Sequence, residues 1–170
     1  MEIMKKYPYL NFSVQTIFLL VCLLIFFNTM LKQTMPPNLV LDLKFAYSAP
    51  EAYQILRNMG EEMRNDYLKC LLIYDIPYML IYTTLFIKFF NFLWKGYQFH
   101  IFCLGVLFFD FFENLTIYRM IIVFPDYSSF LGISASFFTS TKWVLVGIVV
   151  ALMLIGALKK IFSQERQGLL

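Results

Sequence analysis

Charge is what this sequence has least of. Lys, Arg, Asp and Glu make up 15% of its 170 residues, against about a quarter in a soluble domain. The net charge of +3 is small and scattered, which excludes the dense basic surface that nucleic-acid binding requires. A single histidine, His100, leaves no second imidazole for haem or metal ligation. The three cysteines, Cys22, Cys70 and Cys103, form no CxxC pair and have no metal-ligand spacing. Cys22 and Cys103 fall inside apolar runs, where a thiol acts as a small hydrophobe. No cofactor or metal is therefore expected. Internal repeats and low-complexity stretches are also missing.

What is present is apolar. Hydrophobic residues make up 60% of the chain and aromatic residues 19%, more than a body of this size can hide from water, so lipid must cover the excess. Four apolar runs stand out, at about 12–31, 68–90, 97–124 and 131–158. Each is long enough to cross a hydrocarbon layer about 30 Å thick. Backbone polar groups in lipid must be satisfied within their own segment, so the runs are read as helices. Lys5 and Lys6 precede the first run as in a signal peptide, but its exit, Asn28-Thr29-Met30-Leu31-Lys32, offers no small-x-small cleavage site, and the run is read as retained. The expected fold is all-α: a single membrane domain, a four-helix transmembrane bundle.

Basic residues set the expected orientation. Lys5, Lys6, Lys88, Lys95, Lys159, Lys160 and Arg166 flank one side, whereas the turn from Pro125 to Ser129 on the other has no Lys or Arg. The positive-inside rule then places both termini in the cytoplasm, in a bacterial inner membrane or a eukaryotic organelle membrane. The loop 32–67 is the outer one. Within it Ser48-Ala49-Pro50-Glu51 is a capping box. Ala52, Tyr53, Ile55, Leu56 and Met59 form one apolar face, and Gly60 ends the helix. A short amphipathic helix is therefore expected to lie flat on the membrane or cap the bundle from outside, followed by a second helix that enters the membrane unbroken. The tail from Ser163 to Leu170 is expected to fray.

Ionisable residues inside a span are costly and ask for a partner or a role. The second run contains Asp75, the third Asp110, Glu113 and Asn114, and the fourth Lys142. The spacing i, i+3, i+4 puts Asp110, Glu113 and Asn114 on one helix stripe. Counting equally back from the outer turn, centred near Tyr127 and Ser128, sets Glu113 at the depth of Lys142. The inner turn similarly sets Asp75 beside Phe112. Asp75, Glu113 and Lys142 thus converge on one layer, with Asp110 about a turn deeper, and a Glu113–Lys142 ion pair is expected. Arg119 is expected to reach the outer headgroups. Tyr53, Arg64 and Tyr67 are candidate supporting residues on the outer side. Ser134, Ser136, Thr139, Ser140 and Thr141 are read as small residues that let helices approach.

The stretch Asp42 to Ser48, the stretch Gly60 to Tyr67, the motif Asp110-Phe111-Phe112-Glu113-Asn114, and then Phe124-Pro125 and Thr141-Lys142-Trp143 resemble an uncharacterised family of small four-helix membrane proteins. That family has a D-x-x-E-N motif in its third transmembrane helix. The resemblance implies the topology and the choice of site, and no activity. A second, weaker similarity is to emopamil-binding-protein-like sterol isomerases and receptors, which also have four helices, a long first outer loop and intramembrane acids. This chain departs from them in having no acid in its first helix.

Three functions fit these residues. The leading one is a non-enzymatic binding or accessory protein whose carboxylate-lysine layer holds the bundle together or binds a lipid, an ion or a membrane protein partner. The others are a membrane enzyme or sterol-type ligand binder using the carboxylates, and a proton- or ion-coupled transporter built as a homo-oligomer. A lipid-sized cavity beside Asp110 would favour a binder, and a water-filled path to both surfaces would favour transport.

Overall fold

A computed structural model describes residues 14–94 and 99–168, with side chains as far as residue 162. The helices run in the order α1 (Val14–Thr34), two single-turn 3-10 pieces (Pro37–Leu39 and Leu41–Leu43), α2 (Ala49–Lys69), a π-helical turn (Cys70–Asp75), α3 (Ile76–Leu93), α4 (His100–Val123) and α5 (Ser129–Gly168). There is no strand among the described residues. Four stretches are long and apolar enough to cross a membrane: Val14–Thr34, Ala49–Leu93, His100–Val123 and Ser129–Phe162. The protein is thus an all-α bundle of the multi-pass membrane kind. Lys5, Lys6, Lys95 and the side chain of Arg166 lie outside the described residues.

The second span begins as the capping box predicts. Ser48 Oγ accepts a hydrogen bond from the Glu51 amide at 3.3 Å, an N-cap worth about 1 kcal/mol. The first limb of α2 buries Ala52, Tyr53, Leu56 and Met59 and lies across the end of the bundle where the loops are. Gly60 then breaks the helix at φ 72° and ψ 173°, a conformation that a Cβ makes costly. The second limb runs on through the π-helical turn into α3. Pro77, near the start of α3, has no N–H to give to the carbonyl four residues back, and the helix widens there instead of breaking. The wider turn keeps Tyr67, Leu71 and Asp75, each four residues apart, on one face.

Helices α4 and α5 form the most extensive pair, with α3 packed on both. Helix α1 packs on α3 and the π-helical turn and buries no residue of its own. The interior is divided in two along the bundle axis. An apolar cluster at the loop end includes Leu41, Leu56, Tyr67, Ile117 and Met120. A second cluster at the other end is built on Phe90, Cys103, Val106 and Val149. The charged layer lies between them.

Two sequence expectations need correction. Helix α5 does not fray at Ser163 but continues to Gly168, because the polar tail contains good helix formers and no proline. The long loop is also not confined to the outside of the bundle. Its residues 42–47 descend along α5: the Tyr47 amide donates to Ser136 Oγ (3.0 Å), Ser140 Oγ donates to the Phe45 carbonyl (2.8 Å) and Trp143 Nε1 donates to the Asp42 carbonyl (2.9 Å). Trp143 lies about 21 Å along the axis from the start of α5 at the usual helical rise. Irregular backbone at such depth is tolerated only when protein groups satisfy it, and the polar side chains on this face of α5 do so. Ser136 and Ser140 thus hold the loop, a use beyond letting helices approach.

Candidate functional site

Lys142 is the hub of the charged layer. Its Nζ lies 2.5 Å from Glu113 Oε2 and 3.1 Å from Asp110 Oδ1. The expected partner is there, and Asp110 is a second one. The two acids sit one turn apart on one face of α4, and the long lysine side chain spans the step. All three are buried, Glu113 completely. Each carboxylate has a further donor. Thr139 Oγ donates to Glu113 Oε1 at 2.5 Å, with the Tyr47 hydroxyl 3.1 Å behind it, and the Tyr82 hydroxyl donates to Asp110 Oδ2 at 2.5 Å. Burial lifts the Tyr47 phenol above its ordinary value, so it stays protonated and able to donate. Asn114 Nδ2 donates to Asp75 Oδ2, which ties the π-helical turn to α4.

Asp42, brought in by the descending loop, completes the layer. Its Oδ1 is buried with no hydrogen-bond partner. Burial lifts its carboxyl above the ordinary value of 3.8; the Lys142 ammonium opposes this, and the Asp110 charge adds to it. Four acids (Asp42, Asp75, Asp110 and Glu113) thus gather around one lysine.

Beside them is a cavity of about 350 Å³, within the range of small-molecule sites. Its walls are apolar, with Leu24 and Leu31 of α1, Leu71, Phe86 of α3 and Val146 of α5, and Asp42, Asp75, Asp110 and Lys142 line it as well. The loop residues Met35, Pro37 and Val40 roof it. The second span, α1 and α5 all line it, and α1 and α5 make no extensive contact with each other. A hydrogen bond of 3.2 Å from Asn28 Nδ2 to the Tyr78 hydroxyl holds α1 in place.

The outer-side candidates do not join the layer equally. Tyr67 lines the cavity, and its hydroxyl accepts from the Leu41 amide at 3.1 Å. Arg64 instead stacks over Phe124, 4.1 Å from the ring centre, and donates to the Leu56 carbonyl. Tyr53 packs on Tyr127 at 4.9 Å. Arg119 is exposed. These three support the cap or face outward.

Sequence reasoning missed Asp42, Tyr82 and Thr139 as members of the layer, and it singled out Tyr47 only as an outer-loop tyrosine alongside Tyr53 and Tyr67. Asp42 carries a readable signal, an acid inside the apolar run Leu39 to Leu43. Ser136, Thr139, Ser140 and Trp143 repeat at three, four and seven residues, which marks one polar face of α5. Tyr82 carries none, since nothing distinguishes it among eleven tyrosines. Among the described residues no group of three or more His, Cys, Asp or Glu is arranged to hold a metal ion. Comparison with family models, curated proteins and solved structures finds no match for the chain.

Proposed function

We propose that the protein is a membrane ligand binder that holds one amphipathic molecule in the cavity between α1 and α5, its polar group at the carboxylates and its apolar part along the leucine and phenylalanine walls. The observation that carries this reading is the cavity itself. A structural staple needs Lys142 and one or two acids; it does not need Asp42 and Asp75 lining an apolar void beside the ion pair. On this reading the D-x-x-E-N motif marks the layer, since Asp110 and Glu113 fix Lys142 while Asn114 fixes Asp75.

Native mass spectrometry of the full chain from mild detergent tests it. One small amphipathic molecule should remain bound per chain, and filling the cavity by Val146→Trp should remove it. Identical spectra with no adduct, or an adduct that survives Val146→Trp, would overturn the proposal.

We place both termini in the cytoplasm, on the strength of the lysines that border the α3–α4 turn and the end of α5. A cysteine at the exposed position Asn58, in a background without the native cysteines, should react with an impermeant maleimide in intact cells, and one at Gly168 should not. The reverse pattern would invert the topology.

A further inference from the structure

The charge count at the cavity is unequal. Lys142 is shared between Glu113 and Asp110 at 2.5 and 3.1 Å, so its charge is already engaged. Among the described residues, Asp42 and Asp75 have no basic side chain within ion-pair distance. Asp75 is buried and accepts from the Asn114 amide. Asp42 keeps a buried oxygen with no donor at all. Both line the same cavity. The other cation on its lining is Lys32, which sits exposed in the last turn of α1, at the rim.

A carboxylate in an apolar setting without a counter-charge is strongly disfavoured, so each acid takes up either a proton or a cation. Each class of ligand answers this differently. An anionic headgroup would add negative charge to a layer that already holds four acids and one lysine. A neutral alcohol would give one hydrogen bond and leave the charge unmatched. An ammonium supplies donors and the missing positive charge together. The rings of Tyr78 and Tyr82, 5.6 Å apart, line the same space, and aromatic rings attract cations rather than anions.

We infer that the ligand is a cationic amphiphile whose protonated amine sits between Asp42 and Asp75, with its chain along the apolar wall of the cavity. This rests on the ligand-binding reading above and adds the chemistry of the headgroup. Asp42 is the residue that sets the preference for charge, and the descending loop is what delivers it.

A matched pair of probes tests the charge separately from the cavity. The full chain in mild detergent is exposed to equal amounts of dodecylamine and dodecanol, and the two adducts are compared by native mass spectrometry near neutral pH. The amine should be favoured about tenfold or more, the scale expected when a charge-assisted hydrogen bond replaces a neutral one. In Asp42→Asn the ratio should fall towards one. Asp42 lies on a loop, so this variant is expected to fold even if Asp75→Asn does not. Equal binding of both probes by the wild type, or a ratio unchanged in Asp42→Asn, would overturn the inference and leave the binding reading in place. Binding of neither probe, with no adduct retained from the membrane, would overturn both.

Discussion

Replacing Lys142 by methionine should destabilise the bundle more than any other single substitution at the polar layer. The variant leaves Glu113 and Asp110 buried against each other with no cation, and stranding a buried charge costs about 3–5 kcal/mol. For a chain of this length that corresponds to a fall in Tm on the order of 10 °C. Because Lys142 has two partners, adding Glu113→Gln should restore only part of the loss. Adding Asp110→Asn as well should restore most of it. The amide oxygens can still accept from Thr139 and Tyr82, and no unpaired charge then remains at positions 110, 113 and 142. Thermal unfolding of the single, double and triple variants in one detergent gives the answer. Strictly additive effects would mean that the ion pairs contribute nothing as pairs.

Gly132→Ala should loosen the cap, against what helix propensity alone would suggest. Alanine in place of glycine inside an exposed helix is worth about 1 kcal/mol in its favour. Here the added Cβ would lie 2.5 Å from the Ala49 Cβ and 2.7 Å from the Ala49 Cα. A backbone atom cannot swing aside, so α2 must move off α5, and overpacking of this kind costs about 1–3 kcal/mol. Hydrogen exchange across Ala49–Met59 should rise in Gly132→Ala and rise further in Gly132→Leu. Gly147 serves as the control, since a Cβ there meets nothing within 4 Å and alanine should be neutral or stabilising. Unchanged protection in Gly132→Ala would show that this contact does not hold the cap.

The spans, the capping box and the Glu113–Lys142 pair could all be read from the sequence, for one shared reason. Each depends on a regular period or on a count of residues from a tight turn. Asp110 was placed a turn too deep to pair because such a count locates backbone positions, while a lysine side chain reaches across a turn of 5.4 Å. Asp42 stands out as an acid in an apolar run, but its place in the layer was illegible because nothing periodic governs an irregular loop; the loop's path follows from its hydrogen bonds with Ser136, Ser140 and Trp143. The cavity was illegible for a related reason. It exists because α1 packs on the second span and stays apart from α5, and hydrophobicity tells a helix to enter lipid without telling it which neighbour to touch.

The separation of α1 from α5 also fixes how affinity has to be expressed. On the proposed reading, a ligand reaches the cavity between these helices from among the acyl chains, so the solvent from which it arrives is the leaflet. Its relevant concentration is then a mole fraction of lipid rather than a molarity in buffer. Lengthening an alkyl chain by one methylene enriches it in the bilayer by about 0.8 kcal/mol, whether or not the protein gains a contact. Homologues titrated from water would look progressively tighter, and adding empty vesicles would weaken all of them. Only the per-lipid constant would report what the protein itself recognises.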